Sequence, residues 1–253
     1  KNMTLTSEKI KNDFKTVLIT GATSGIGSKV AIKYAEEGWN ILCHYNSSEE
    51  KAVKLREIVC EHGVDCYLFE ANLSDDNEIQ HFINKLEDFD IDGLVNNAGT
   101  YEVYKHFSEL SSHDLTSTFR VNAFAPMLIT TNIFMHMRDR GFGRIVNISS
   151  IAAKYGGSSF SMHYGCSKLA LEGMTKTLAR EGAEYNVLIN TIRPGVIDTD
   201  FHKKFPKDMP KRLSMIPMKK AGMPEDVANL VFYLGSNKNN YITNEIVTIA
   251  GGE

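Results

Sequence analysis

Short apolar runs and helix-period stretches alternate along the chain. Val17-Leu18-Ile19 is aliphatic and partly β-branched, as suits a strand buried on both faces. After a glycine-punctuated turn, Ile26, Val30, Ala31, Tyr34 and Ala35 recur at helical spacing. The same alternation predicts strands at 39–45, 64–69, 92–96, 144–148, 187–192 and 245–249. Between them it predicts helices at 51–59, from Ser74 or Asp75 through Leu86, at 112–140 with a kink at Pro126, at 161–184 and at 224–234. Ser47 or Ser48 is placed to cap the second helix, and Pro224 suits the first turn of the last one. Residues 201–222 read as irregular.

Strand–helix alternation without repeat or linker predicts an α/β chain: a single-domain, Rossmann-type, doubly wound parallel sheet of about seven strands with helices on both faces. That domain is expected over residues 15–253, behind a polar N-terminal extension of residues 1–14. Ligands of such sheets lie beyond the C-terminal strand ends, at the switch point. The loops after the first, fourth, fifth and sixth strands are therefore where chemistry is expected.

Composition narrows the function classes. A net charge of -3 supplies no field for nucleic acid or an anionic membrane. No apolar run has the length of a membrane span, and residues 1–14 lack the apolar stretch of a secretion signal. Cys43, Cys60, Cys66 and Cys166 have no C-x-x-C spacing, which points to free thiols in a reducing cytoplasm and away from a metal site.

Two local patterns carry chemistry. Gly21, Gly25 and Gly27 form G-x-x-x-G-x-G between a strand and a helix, not the G-x-G-x-x-G of the common dinucleotide fingerprint. The turn aims a helix N-terminus and its unpaired N–H groups at an anion, and a Cβ there would hold a diphosphate off the backbone. Tyr164 and Lys168 are four apart on a predicted helix and share a face. A free phenol titrates near pH ~10. An adjacent ammonium is expected to lower that value toward a catalytic range.

Four motifs occur in order on matching strand ends: Thr20-Gly-Ala-Thr-Ser-Gly-Ile-Gly27, Asn96-Asn-Ala-Gly99, Ser150 with Tyr164-Gly-Cys-Ser-Lys168, and Arg193-Pro-Gly195. Together they resemble the short-chain dehydrogenase/reductase family in its compact branch, over about Lys15 to Gly252. The resemblance implies an NAD(P)-dependent oxidoreductase moving hydride between nicotinamide and a ketone or secondary alcohol. It implies a catalytic tetrad of Asn122, Ser150, Tyr164 and Lys168. Tyr164 would exchange the proton with the substrate oxygen, and Ser150 would hydrogen-bond that oxygen. Lys168 would also hold the nicotinamide ribose, and Asn122 a water leading to Lys168. It further implies cofactor contacts from Gly21, Thr23, Ser24, Gly25, Ile26 and Gly27 in the turn, and from His44, Tyr45, Asn46 and Ser47 after the second strand. Asn72 and Leu73 would follow the third strand, and Asn97, Ala98 and Gly99 the fourth. Pro194, Gly195, Ile197 and Thr199 would join Tyr164 and Lys168 at the nicotinamide.

Two departures from the family pattern stand out. The family's serine lies thirteen residues before the tyrosine. Ser150 lies fourteen before Tyr164 and Ser149 fifteen, so Ser150 is chosen, with one residue inserted in Tyr155-Gly-Gly-Ser-Ser-Phe160. Asn72 stands where the family has an aspartate on the adenine ring, and keeps a carbonyl acceptor. NAD-preferring enzymes end the second strand with an acid for the ribose 2′-hydroxyl. Here Cys43-His-Tyr-Asn-Ser-Ser48 has none, which favours NADP and leaves NAD possible.

The substrate lid is expected at about 200–222, where Phe201, Phe205, Met209, Leu213, Met215, Ile216 and Met218 mix with lysines and arginines. Asn147-Ile-Ser-Ser150, Arg193-Pro-Gly-Val-Ile-Asp-Thr-Asp200 and Pro224-Glu-Asp-Val-Ala228 look nearest to 3-oxoacyl carrier-protein reductases. Ile242-Thr-Asn-Glu245 and Tyr185 depart from that group. A sugar, polyol or other small ketone therefore stays open as substrate, as does a non-catalytic nucleotide-sensing role. Phe119, Phe124, Leu128, Ile133 and Phe134 form an apolar row on one long helix, and Leu169, Leu171, Met174 and Leu178 on another. The family pairs these two helices into homodimers or homotetramers.

Overall fold

The computed structural model describes residues 14–101, 103–200 and 208–253. The N-terminal extension, apart from Phe14, and the lid residues 201–207, with Phe201 and Phe205, lie outside the described residues.

Seven parallel strands form one sheet: β1 (Thr16–Ile19), β2 (Asn40–Tyr45), β3 (Cys66–Glu70), β4 (Gly93–Asn96), β5 (Gly143–Ile148), β6 (Val187–Pro194) and β7 (Ile246–Ile249). Their order is β3-β2-β1-β4-β5-β6-β7, so the winding reverses between β1 and β4. The side-chain alternation of each strand feeds two cores. Val17, Ile19, Val95 and Val146 face one layer, and Leu18, Leu94 and Ile145 the other. The first layer is α1 (Gly25–Glu36), α2 (Glu49–Cys60) and α9 (Pro224–Leu234), which supply Val30, Tyr34, Leu55, Val231 and Phe232. The second is α3 (Asp76–Leu86), α5 (Ala125–Arg140) and α7 (Met162–Ala183), with Ile79, Phe82, Ile129, Phe134 and Ala179. Buried aliphatic runs in β1, β4 and β5 are what a sheet covered on both faces requires.

Asp75 rather than Ser74 caps α3, its carboxylate accepting from the N–H groups of Asn77 and Glu78. The predicted single helix over 112–140 is in fact three pieces. α4 (Ser112–Phe119) opens on a Ser111/Asp114 capping box, a π-turn spans Arg120–Phe124, and α5 follows with Pro126 in its first turn. The backbone stays helical through both junctions, so the pieces form one continuous helix whose π-turn falls just before Pro126. Asn122 lies inside the π-turn.

Two short helices go beyond the periodic pattern. α6 (Ile151–Tyr155) is capped by Ser150, whose Oγ accepts from the Ala152 N–H, and ends on Gly156 in the left-handed region. α8 (Met209–Met215) lies in the stretch read as irregular; Asp208 caps it and Pro210 sits in its first turn. Both are too short for a period to register.

Tyr34 illustrates how the first core is fixed. Its ring meets Trp39 and Phe232 edge-on at 5.2 and 5.0 Å, and its hydroxyl donates to the Gly235 carbonyl at 2.8 Å across α1 and the end of α9. Tyr34→Phe keeps the packing and removes the donor. The expected cost is about 1–2 kcal/mol, read as a Tm lower by about 2–6 °C in thermal denaturation followed by circular dichroism.

Candidate active site

The glycine turn is held from both sides. Thr20 ends β1, and its Oγ1 accepts from the backbone N–H groups of Asn97 at 3.1 Å and Ala98 at 3.0 Å. The Asn97 carboxamide reaches back, donating to the carbonyls of Thr20 at 3.0 Å and Gly21 at 2.9 Å and to Ser24 Oγ at 3.1 Å. On the other side His44, from β2, accepts the Gly21 N–H on Nδ1 at 3.0 Å and meets the Ala71 carbonyl through Nε2 at 3.0 Å. Ser24 caps α1 by accepting from the Gly27 N–H. Gly21 has φ +63°, and a Cβ there would lie 2.9 Å from Ala98 Cα. A Cβ on Gly25 would lie 2.6 Å from Thr199 Cγ2. The turn thus presses against the loops after β4 and β6, with backbone donors pointing out of the N-terminus of α1.

These loops open on one cavity of about 1570 Å³ at the C-terminal edge of the sheet. That exceeds the roughly 300–1,000 Å³ of an ordinary small-ligand pocket, and suits a dinucleotide with a second reactant. The cavity wall includes Gly21, Thr23, Ser24, Gly25 and Ile26; Asn46 and Ser47; Asn72 and Leu73; Asn97, Ala98 and Gly99; and Pro194, Gly195, Ile197 and Thr199. Ser150, Tyr164 and Lys168 line it as well. Tyr45 and Gly27 do not. Alternation along β2 turns Tyr45 away from the side its neighbours His44 and Asn46 use, and Gly27 supports the turn from beneath.

Three polar side chains are engaged differently from the expectation. His44 lines the cavity, but both ring nitrogens are committed to the backbone, so it has no donor left for a ribose phosphate. Burial pushes it down to about 4, against the pull of the Ala71 carbonyl, and it stays neutral with Nδ1 as acceptor. Asn72 Oδ1 accepts from the N–H and hydroxyl of Ser74, so the acceptor reserved for adenine is used within the loop. Asn122 is fully buried outside the cavity wall. Its Oδ1 accepts the Thr100 N–H at 2.7 Å, and its Nδ2 donates to the Thr100 carbonyl and to Ser167 Oγ. It joins the loop after β4 to α7 close to Lys168: a Cβ on Gly99 would meet both Lys168 Nζ and Asn122 Oδ1.

The reactive corner is compact. Ser150, not Ser149, hydrogen-bonds the Tyr164 phenol. Ser149 lies beside it in the cavity wall, but its hydroxyl donates to Glu172 Oε1 at 2.6 Å. Lys168 is buried, donates to the Ile148 carbonyl at 2.9 Å and lies 5.9 Å from the centre of the Tyr164 ring. Tyr101 packs on Tyr164 with centroids 5.3 Å apart, its own hydroxyl donating to the Phe160 carbonyl. The ammonium does not draw the phenol down. Burial pushes Tyr164 up to about 12, more than the Ser150 hydrogen bond lowers it, and Tyr101 adds to the rise. Burial likewise brings Lys168 down to about 8. The low-dielectric wall disfavours both charged forms.

Lys51, in the first turn of α2, lines the cavity beside Asn46, Ser47 and Ser48. Sequence reasoning missed it, although a cation three residues past the Ser48 cap is placed to face an anion at that end. Tyr101 and Glu172 were missed as well. Glu172 had a signal, since it continues the Tyr164–Lys168 face by one more turn.

The short chain dehydrogenase family model matches residues 15–210. The chain is 35% identical to the 3-oxoacyl-[acyl-carrier-protein] reductase of Aquifex aeolicus, across 96% of this chain and 99% of that one. It is 34% identical to the reductase of the same name from Thermotoga maritima, across 94% and 97%. Among solved structures, a 3-oxoacyl (acyl-carrier-protein) reductase from Agrobacterium tumefaciens with NADP bound superposes with a TM-score of 0.87 at 26% identity, covering 99% of this chain and 98% of that one. With its parallel seven-stranded sheet, its glycine turn and its Ser150–Tyr164–Lys168 corner, the chain belongs to the short-chain dehydrogenase family and has that family's oxidoreductase architecture.

Proposed function

We propose that this protein is an NADP-preferring reductase of a ketone, with a 3-oxoacyl thioester on a carrier as its first candidate substrate. The observation that carries the reading is the convergence of Ser150, Tyr164 and buried Lys168 on one cavity continuous with the glycine turn. The turn fits a dinucleotide diphosphate because it lines the cavity at the N-terminus of α1, where helical N–H groups lack partners, and Gly21 and Gly25 let it pack against the loops after β4 and β6. A bound nicotinamide dinucleotide supplies the hydride. Tyr164 gives its proton to the carbonyl oxygen, and Ser150 donates a second hydrogen bond to that oxygen as negative charge develops. Lys168, positive at neutral pH, lies 5.9 Å from the centre of the Tyr164 ring and would hold ribose hydroxyls. Asn122 stiffens the Gly99–Thr100 backbone against α7.

NADP preference draws support from two features: the end of β2 has no acid before Glu49, and Lys51 stands at the N-terminus of α2. The carrier-bound substrate draws support from the two relatives above, both 3-oxoacyl-[acyl-carrier-protein] reductases. A homodimer or homotetramer is supported by the apolar rows. Phe124 at the end of the π-turn, Leu128 and Met135 on α5 and Leu169 on α7 are 44–47% exposed, whereas Ile133 and Phe134 of α5 and Leu171 of α7 are core. No described helix is long and apolar enough to cross a membrane, and we place the protein in the cytoplasm.

Tyr164→Phe is expected to lower NADPH-dependent ketone reduction by about 10²–10⁴-fold, with cofactor binding kept. A steady-state assay over 3-oxoacyl thioesters and sugar ketones checks this. Turnover unchanged by the substitution would remove Tyr164 from its role, and consumption of only the sugar ketone would end the carrier reading.

The pH profile follows from burial. Tyr164 keeps its proton up to about 12, so the donor is intact throughout the working range. Lys168 loses its charge above about 8. Reduction should therefore be level below about 8 and fall above it, measured as kcat against pH.

Lys51→Ala should weaken NADPH by about tenfold, the scale of one lost charge-assisted hydrogen bond, and leave NADH unchanged. Fluorescence titration of both cofactors reads this out. Tighter binding of NADH than NADPH by the wild type would overturn the preference.

A further inference from the structure

Ser149, Glu172 and Arg193 form a cluster that the proposed chemistry does not use. Glu172 is 3% exposed at its side chain and Arg193 19%. Arg193 donates from Nε to Oε1 at 2.7 Å and from Nη2 to Oε2 at 2.6 Å, a bidentate pair. Ser149 Oγ adds a third hydrogen bond to Oε1 at 2.6 Å.

Each member adjoins an active-site group. Ser149 precedes Ser150, and its N–H donates to the Ile192 carbonyl of β6 at 2.8 Å. Ile148, on its other side, offers the carbonyl that holds Lys168 Nζ. Arg193 precedes Pro194 and Gly195 of the cavity wall. Glu172 lies one turn past Lys168 and two past Tyr164 on the same face of α7. One carboxylate therefore joins the ends of β5 and β6 to the helix that carries the phenol and the ammonium. Glu172 and Arg193 do not line the cavity; Ser149 does, and its hydroxyl is bonded to Glu172.

We propose that Glu172 is a positioning residue: with Ser149 and Arg193 it clamps the ends of β5 and β6 onto α7 and so fixes the Ser150–Tyr164 contact. The assignment rests on the reductase reading above. Without the clamp, Ser150 keeps its place in the chain, but its distance to the phenol is no longer set by bonded neighbours. Proton donation is sensitive to such misplacement. Binding of the dinucleotide is not, because the turn that holds it is tied by Asn97 and His44 instead.

Two variants test this. Ser149→Ala leaves the ion pair in place. Glu172→Leu/Arg193→Leu removes both charges together, so no buried charge is stranded. Wild type and variants are assayed for kcat with NADPH and the ketone found above, for NADPH affinity, for Tm, and for the solvent deuterium isotope effect on kcat. The expected result is NADPH affinity within about twofold of wild type, with kcat per folded enzyme lower by about three- to tenfold for Ser149→Ala and by more for the double variant. The isotope effect should rise in both, as proton donation becomes slower. A merely structural pair would lower Tm and the folded fraction but leave kcat per folded enzyme and the isotope effect unchanged; that result in either variant overturns the assignment. A wild type that reduces no ketone removes the reductase reading and this one with it. An active wild type with unimpaired variants removes this one alone.

Discussion

The Asn97 carboxamide is the contact on which the site depends. A doubly wound sheet leaves an opening where its winding reverses, here between β1 and β4. The loops leaving those two strands would diverge unless something bridged them. Asn97 does so, donating to the Thr20 and Gly21 carbonyls, while Thr20 Oγ1 accepts from the backbone of the opposite loop. His44 braces the turn from β2. The glycine turn is thereby preorganised, with the N–H groups of Gly21, Ala22, Ser24 and Gly27 bonded within the protein, so an arriving diphosphate does not have to order it.

At the other end of the cavity the governing quantity is desolvation. Tyr164 and Lys168 share one dry wall, and their preferences move in opposite directions, the phenol up and the ammonium down. A phenol held in its neutral form is a proton donor, which is the role a carbonyl reduction needs. The reverse reaction needs the phenolate, and the same wall works against it. Burial thus holds the resting corner in its proton-donor form.

The parallel sheet, its winding and the strand ends that carry chemistry were legible because they rest on period and on glycine placement. Ser150 was legible against Ser149 only through spacing, and the structure supplies the physical reason: Ser149 is engaged with Glu172. The π-turn at Arg120–Phe124 was not legible, because a helical period runs through it without interruption. Nor were the roles of His44, Asn72 and Asn122. Each is a polar residue expected at the cofactor or the reacting groups, and each could as well bond the backbone; only coordinates show that all three do. The direction of the Tyr164 shift was missed for a related reason. Sequence displays the neighbouring charge, whereas burial, the larger effect, emerges from the packed helix.

With those side chains engaged internally, recognition of a dinucleotide under the proposed function would fall mainly on the free backbone donors of the turn and on Lys51, which lines the cavity beside Ser47 and Ser48. The opposite end is built otherwise. α8 is joined to the last residue by the Arg212–Glu253 ion pair, and the segment after it by the Met218 N–H to the Gly251 carbonyl. Met209, Met215 and Tyr104 line the cavity there. Backbone geometry defines the first end, so a short glycine pattern is enough to identify it. Side-chain shape defines the second, and apolar side chains of this kind accept many ketones. The same division explains why the family and the reaction type follow from this chain more directly than the identity of the ketone: the fold dictates where hydride and proton meet, and a handful of residues around α8 dictates what is held between them.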